Sequence, residues 1–147
     1  MEIKIFDALP DDALKIRIDV FEGEQNTPDG EDEIDAFAKH LVLYDSGKAI
    51  ATCRISPMEE RNVYLIGRIA VIKELRGKGI GKVIIESAEE YLKETDCATA
   101  KIRSRYQVKD FYIKCGYEIC SDILYEDGRP YIWVKKSVNG QKGGIRI

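Results

Sequence analysis

The sequence is poor in the residues that build metal centres and hydrolytic triads. Its 147 residues include a single histidine, His40, and four cysteines that form no Cys-x-x-Cys pair. A zinc site needs several cysteine or histidine ligands, and a triad needs a histidine beside a nucleophile presented on a sharp turn. No Gly-x-Ser-x-Gly turn is present. We therefore predict no metal and no triad, a structural role for His40, and reduced cysteines.

The sequence also lacks a long apolar run and an excess of positive charge. No apolar segment approaches the ~20 residues that span a bilayer, and no basic stretch opens the chain. The formal net charge is −3, which gives no general attraction to nucleic acid or to an anionic membrane. We therefore expect a cytosolic protein that binds neither, and any polyanion must meet a local basic patch.

The composition is that of one folded domain, because 44% of the residues are hydrophobic and 33% are charged. The predicted order of elements is strand, helix, three strands, helix, strand, helix and hairpin. This order indicates an α+β or mixed-sheet domain. We place a single domain at residues 1–136 and a C-terminal tail at 137–147.

Apolar spacing predicts the helices and the last strands. The first helix follows Pro10 and should bury Leu14, Ile18 and Phe21 on one face. The second helix follows the glycine-rich segment, and its apolar stripe is Ile80, Ile84, Ala88 and Tyr91. A further helix spans 106–114. Residues 117–125 are predicted to form one strand before a turn at 127–128.

A nearly continuous apolar strand leads into a basic loop. The strand 63–72 has the composition of a central strand, and Gly67 is a candidate for a bulge. The loop Arg76–Gly81 reads Arg-Gly-Lys-Gly-Ile-Gly and opens a helix, so its backbone N–H groups and the helix dipole converge where an anion could sit. Four basic side chains cluster here: Lys73, Arg76, Lys78 and Lys82.

The glycine spacing separates this loop from two other phosphate-binding loops. It lacks Gly-x-x-x-x-Gly-Lys-Ser/Thr, and its glycines do not match Gly-x-Gly-x-x-Gly. It fits Arg/Gln-x-x-Gly-x-Gly/Ala and so resembles the pyrophosphate signature of the GNAT acetyltransferase superfamily. The segment Phe111–Tyr117 also resembles the family's Phe-Tyr-x-x-x-Gly-Phe element. The head Val20–Gln25, with 32–35 and His40, resembles a small prokaryotic branch of mostly unassigned members.

The resemblance covers nearly the whole chain and carries expectations about fold and activity. It implies the GNAT fold, a mixed and mostly antiparallel sheet of about six to seven strands with about four helices. It also implies direct transfer of an acyl group from acetyl-coenzyme A to a primary amine of a small molecule or protein. The residues expected at the coenzyme are Ile69, Ala70, Val71, Arg76, Gly77, Lys78, Gly79, Ile80, Gly81 and Lys82.

Two positions depart from the family pattern. Arg105 and Val108 stand where many members carry Asn and Ala, so the coenzyme contacts of that helix are open.

Catalysis by direct transfer needs groups that move protons. A primary amine is mostly protonated at neutral pH and must lose a proton, usually to a carboxylate directly or through water. Glu24 is the predicted base, with Glu33, Asp35 and Glu59 as rivals, although a solvated charged loop is the plainer interpretation of any one of them. By resemblance, Tyr112 protonates the departing thiolate, and the alternative is an aromatic ring packed in the core.

Several alternatives stay open at the level of sequence. A non-catalytic sensor or scaffold that binds acyl-coenzyme A would carry the same loop. Arg54 and Arg68 are placed either to orient a carboxylate-bearing acceptor or to form internal ion pairs. The acidity of the head favours a cationic acceptor, and homodimer formation through sheet edges is a further option.

Overall fold

A computed structural model describes residues 1–25 and 30–139. Its eight strands are β1 (Glu2–Phe6), β2 (Lys39–Asp45), β3 (Lys48–Pro57), β4 (Val63–Val71), β5 (Thr99–Arg105), β6 (Glu118–Ile119), β7 (Leu124–Glu126) and β8 (Arg129–Ser137). They form one sheet in the order β1-β2-β3-β4-β5-β8-β6, with β7 also paired to β8. Among these strands only β4 and β5 pair in parallel.

Three α-helices flank the sheet in the described part of the chain: α1 (Asp11–Arg17), α2 (Ile80–Leu92) and α3 (Lys109–Lys114). A π-helical segment, Ile18–Glu24, continues α1, and short 3₁₀ turns lie at Glu33–Ala36, Lys73–Leu75 and Tyr106–Val108. None of the described helices is both long and apolar enough to cross a membrane. The predicted α+β class is confirmed, with one more strand than the upper expectation and one α-helix fewer.

The two longer helices pack on opposite faces of the sheet. Cys53 and Arg54 are consecutive on β3, so their side chains point to opposite faces. Cys53 lies in the core beneath α2, whereas Arg54 pairs with residues on the α1 side. The predicted stripe of α2 is confirmed, because Ile80, Ile84 and Ala88 are buried there.

The predicted buried face of the first helix is wrong at Ile18, whereas Phe21 packs against the cluster of Ile16, Val20 and Ala70 as expected. Ile18 is 39% exposed, and the buried side chains are those of Ala13, Ile16, Arg17 and Val20. A count of apolar residues alone misses this face because a charged residue, Arg17, belongs to it. The π-helical geometry from Ile18 onward also changes the residue spacing on which the prediction depended.

The strand predicted at 117–125 is broken into β6 and β7. Both pair with β8, but the chain leaves the ladder between them. The Ser121 hydroxyl accepts the Trp133 amide hydrogen at 2.9 Å, while the Cys120 amide donates to the Trp133 carbonyl. The Ser121 hydroxyl therefore takes the place of a main-chain carbonyl as acceptor for the Trp133 amide. An alternation of apolar and polar residues does not reveal such a break in the strand.

The end of β8 remains attached to the domain. The Val138 amide donates to the Ala98 carbonyl at 2.9 Å, and the Asn139 side chain donates to the Leu92 carbonyl at 3.1 Å. Residues 140–147 lie outside the described part of the chain. The division proposed at residue 136 stays a prediction.

Buried ion pairs attach α1 to the sheet. Arg17 donates from Nη1 and Nη2 to the two carboxylate oxygens of Asp35 at 2.9 and 3.2 Å. Arg54 Nη1 donates to the same carboxylate at 2.9 Å. All three side chains are at most 4% exposed. Despite its burial, the pKa of Asp35 lies far below its usual range, because Arg17, Asp32 and Arg54 donate hydrogen bonds to it.

The variant Asp35→Asn should lose ~3–5 kcal/mol of unfolding free energy, because the buried Arg17 and Arg54 guanidinium groups both lose the negative charge of Asp35. Urea unfolding measures this loss, and Asp122→Asn, in the exposed segment between β6 and β7, is the control expected within ~0.5 kcal/mol of the parent. The folded pKa of Asp35 is lowered, so its stabilisation is complete above about pH 5 and is lost as the pH falls below ~4. A loss below ~1 kcal/mol would contradict the role given to this ion pair.

Candidate active site

The parallel strands β4 and β5 separate soon after they meet. In the described structure their pairing covers Val63–Leu65 against Thr99–Lys101. Beyond Leu65, β4 continues to Val71 and β5 to Arg105 without further pairing between them. The facing edges therefore carry main-chain groups that lack a strand partner. The segment predicted to run along the coenzyme, Ile69–Val71, lies on this opening.

A β-bulge bends β4 at the opening. Thr52 pairs with Ala70 and Arg54 pairs with Gly67, so two residues of β4 stand opposite Cys53 alone. The bulge predicted at Gly67 falls just after it, at Arg68 and Ile69, and Arg68 lies in the left-handed region with φ of 49°. This backbone conformation is unfavourable for a residue with a side chain.

Glycine is needed in the loop for two different physical reasons. Gly77 and Gly79 have φ of 76° and 81°, a region in which a side chain would be strained. Gly81 has ordinary φ, but a Cβ there would lie 3.0 Å from Cζ of Phe111. The loop and α3, which carry the two sequence motifs, are therefore in direct contact.

The loop ends in an open helix N-terminus. Gly79 is the N-cap of α2, and the Val83 amide donates the first hydrogen bond of the helix to the Gly79 carbonyl. The amides of Ile80–Lys82 precede that bond, and no side chain among the described residues caps them. The side chains of Lys73, Arg76, Lys78 and Lys82 are exposed around this terminus. Amides, helix dipole and cations together fit a diphosphate.

Arg76 joins the loop to two other elements. Its Nε donates to the Val71 carbonyl at 3.1 Å, which holds the side chain against the end of β4. Its Nη1 and Nη2 donate to the carboxylate of Glu24, the Nη2 contact being 2.8 Å. The hydrogen bond from Arg76 lowers the pKa of Glu24. Glu24, the predicted base, is therefore ionised and bound to Arg76, the side chain predicted to bind the phosphates. Glu24 also lines a cavity of about 500 Å³ that is bordered by α1.

The rival bases occupy different environments. Asp35 is buried between two arginines, so it is not available to accept a proton at neutral pH. Glu33 is exposed on the 3₁₀ turn after Asp32, and Glu59 is exposed in the β3–β4 turn. Glu24 as the base stays a prediction.

Tyr112 lies in the core beneath α2. Its ring makes edge contacts with Phe111 and Tyr117, with ring centroids 5.2 and 6.4 Å away. Burial raises the pKa of Tyr112 to about 12, with smaller contributions from the Cys115 and Cys53 thiols. The hydroxyl is therefore protonated at neutral pH, as a proton donor must be. Its role as the acid stays a prediction.

Charged side chains form a cluster on the α1 side, in which Arg54 and Arg68 make the internal ion pairs that the sequence left open and Arg17 was not foreseen. We call Arg17, Asp32, Asp35, Arg54 and Arg68 the arginine cluster. Asp32 accepts from Arg54 Nη1 at 2.7 Å and from Arg68 Nη2 at 3.2 Å, and it forms a reciprocal capping box with Asp35. The spacing Asp-x-x-Asp before a short turn is the one local signal of this arrangement. His40 has the predicted structural role, with Nε2 3.0 Å from the Asp35 carbonyl oxygen.

A sheet that opens between its parallel strands beside a glycine-rich anion loop has the architecture of a GNAT acyltransferase. Residues 7–117 match the model of the Acetyltransferase (GNAT) family. The chain belongs to this family. Membership supports an acyl-coenzyme A-dependent acyltransferase activity.

Similar proteins extend along almost the same length. An uncharacterized Bacillus subtilis protein, YyaT, is 32% identical over 87% of this chain and 88% of its own. The uncharacterized N-acetyltransferase YjcF of the same organism is 30% identical over 85% of this chain and 90% of its own. The crystal structure of an acyl-CoA N-acyltransferase from Pseudomonas aeruginosa has a TM-score of 0.80, 22% identity and coverage of 92% and 98%. This structure shows the shared fold.

The variant Glu24→Gln should tighten acetyl-coenzyme A binding by ~2–5-fold, because a part-exposed ion pair worth ~0–1 kcal/mol no longer competes for Arg76. If Glu24 is also the base, turnover should fall by ~10²-fold or more. Calorimetry measures the first effect and thiol release the second. Glu74→Gln removes a nearby exposed charge as the control. Weaker coenzyme binding by Glu24→Gln would contradict competition for Arg76.

Proposed function

We propose that the protein transfers an acyl group, in the simplest case acetyl, from acyl-coenzyme A directly to a primary amine. The observation that carries this proposal is the continuity of the β4–β5 opening with the loop Arg76–Gly81. Within one site, the chain offers unpaired strand edges, an open helix N-terminus and exposed cations. An acyl-coenzyme A needs partners of these kinds for its amide-containing arm and its diphosphate.

The chain's residues have separate roles in binding. The amides of Gly77–Lys82 and the side chains of Arg76, Lys78 and Lys82 hold the diphosphate. The main chain of Ile69–Val71 holds the pantetheine arm, and one of its amides stabilises the negative charge that develops on the acyl oxygen. The bound thioester supplies an activated acyl carbonyl, so this chain needs no nucleophile of its own.

Two proton movements complete the transfer. The attacking amine loses a proton to Glu24, directly or through water, once Arg76 has turned from this carboxylate to the diphosphate. The leaving thiolate gains a proton from the Tyr112 hydroxyl. Both roles belong to the proposal, and a single substitution removes either the carboxylate or the hydroxyl.

A non-catalytic acyl-coenzyme A sensor is the second candidate. It is favoured by the contact that holds Glu24, the predicted base, on Arg76. Thiol release over a broad panel of amines separates the two candidates. Measurable release with any amine supports the transferase, and tight coenzyme binding without release from the whole panel supports the sensor.

The variant Arg76→Glu should lose acetyl-coenzyme A binding by ~10²-fold or more, because it sets a carboxylate against the diphosphate. Calorimetry measures the affinity. Arg61→Glu makes the same charge change in the exposed β3–β4 turn and should bind like the parent. Unchanged affinity in Arg76→Glu would contradict the assignment of the loop as the site that binds the diphosphate.

The variant Tyr112→Phe should turn over ~10²-fold more slowly, while its coenzyme affinity stays within ~3-fold of the parent value. The substitution removes only the hydroxyl and keeps the ring that packs beneath α2. Tyr125→Phe, on the exposed β7, is the matched control. Parental turnover in Tyr112→Phe would assign this tyrosine to packing alone.

A further inference from the structure

The arginine cluster reaches the opening through one side chain. Arg17 and Arg54 are buried, whereas the Arg68 side chain is 33% exposed. Arg68 lies on the bulge of β4, three positions beyond Leu65, the last residue paired with β5. Its bond to Asp32 places it on the α1 side of the sheet. The guanidinium therefore lies on the α1 side of β4, close to the point where β4 and β5 separate.

We propose that the acceptor amine carries a carboxylate and that Arg68 binds this carboxylate. The proposal rests on the transferase function, because it names the acceptor class of the same site. α-Amino acids are the simplest compounds of this class. A guanidinium presents N–H donors in a planar fork that matches both oxygens of a carboxylate.

The cluster brings guanidinium groups and carboxylates together at the edge of the opening. Its five side chains carry three guanidinium groups and two carboxylates. Arg54 Nε is also buried without a hydrogen-bond partner in the described structure. A carboxylate from the acceptor would add both negative charge and acceptor oxygens to this region.

Asp32 holds Arg68 in place without depending on it. The Asp32 carboxylate accepts from Arg54 at 2.7 Å, so it keeps a cationic partner when Arg68 turns toward a ligand. The left-handed backbone of Arg68 supports the same interpretation, since such strain is retained where the surrounding structure fixes it and is common at functional sites. Asp32 is a positioning residue for Arg68.

The opposite wall of the opening carries basic side chains, of which Lys101 and Arg103 are paired with Glu60 and Glu126. Ala100, Ile102 and Ser104 of β5 are buried, so the alternate residues Lys101, Arg103 and Arg105 point to the other face. Arg103 lies 4.3 Å from the Tyr131 ring centroid and donates to Glu126 at 2.9 Å.

Three of the acidic side chains of the head already have cationic partners. Glu24, Asp32 and Asp35 are all in ion pairs with arginines. These three carboxylates therefore give no support to a cationic acceptor, and the expectation of one stays a prediction.

Matched acceptor pairs test the proposal directly. Each of a panel of amino acids is compared with its α-amide, and the ratio of kcat/KM for acid over amide is measured by thiol release. We expect the parent to prefer at least one acid by ~10²-fold and Arg68→Gln to reduce this ratio to within ~3-fold. Arg68→Lys should retain part of the preference, and Arg61→Gln should retain all of it.

The result that overturns the proposal is a parent enzyme that uses the amides as well as the acids, or an Arg68→Gln variant that keeps the full preference. Acetyl-coenzyme A affinity is measured for each variant and should be unchanged. If Arg68→Gln does not fold, the reduced but measurable preference of Arg68→Lys supports the proposal, and an unchanged preference overturns it.

A binding experiment separates this proposal from the transferase function. If no amine releases thiol, N-acetyl amino acids and their N-acetyl amides are titrated into the coenzyme A complex. Tighter binding of the carboxylate forms that is lost in Arg68→Gln supports the carboxylate site although the transferase function has failed. Equal binding of the two forms overturns the carboxylate site.

Discussion

The hydrogen bonds between β4 and β5 stop at Leu65, and the site depends on this interruption. Had the parallel ladder continued, the edge of Ile69–Val71 would be occupied and the sheet would be closed. The bulge at Arg68 turns β4 away from its earlier path, and the glycine loop then directs the chain into α2. The edge of the strand, the N-terminus of α2 and the basic side chains therefore lie along one continuous path.

Buried charge connects this opening to the rest of the molecule. Asp35 holds both α1 and β3 through Arg17 and Arg54, and Asp32 extends the same network to the surface of the opening. A buried ion pair contributes less to stability than a well-packed apolar contact, so specificity is the better reason for retaining it here. In our account the network fixes one exposed guanidinium in position for the acceptor. Stability and acceptor choice then share the same residues.

Local signals explain which features were predictable from the sequence. The loop and α2 were found because glycine spacing, charge and a helical stripe all lie within twenty residues of each other. The contact between Gly81 and Phe111 was anticipated only as two motifs of one family, and its steric reason needed coordinates. Arg17 was missed because its partner, Asp35, is distant in sequence. The left-handed Arg68 and the break at Ser121 depend on register across strands, which no single segment encodes.

The most direct test of the opening is a map of the backbone amides that change when acetyl-coenzyme A is added to the isotope-labelled protein. Our account predicts the largest NMR shift changes at Gly77–Lys82 and at Ile69–Val71, two segments that the hydrogen bond from Arg76 to the Val71 carbonyl joins. Shift changes confined to the far edge of the sheet, at β6 and β7, would contradict it.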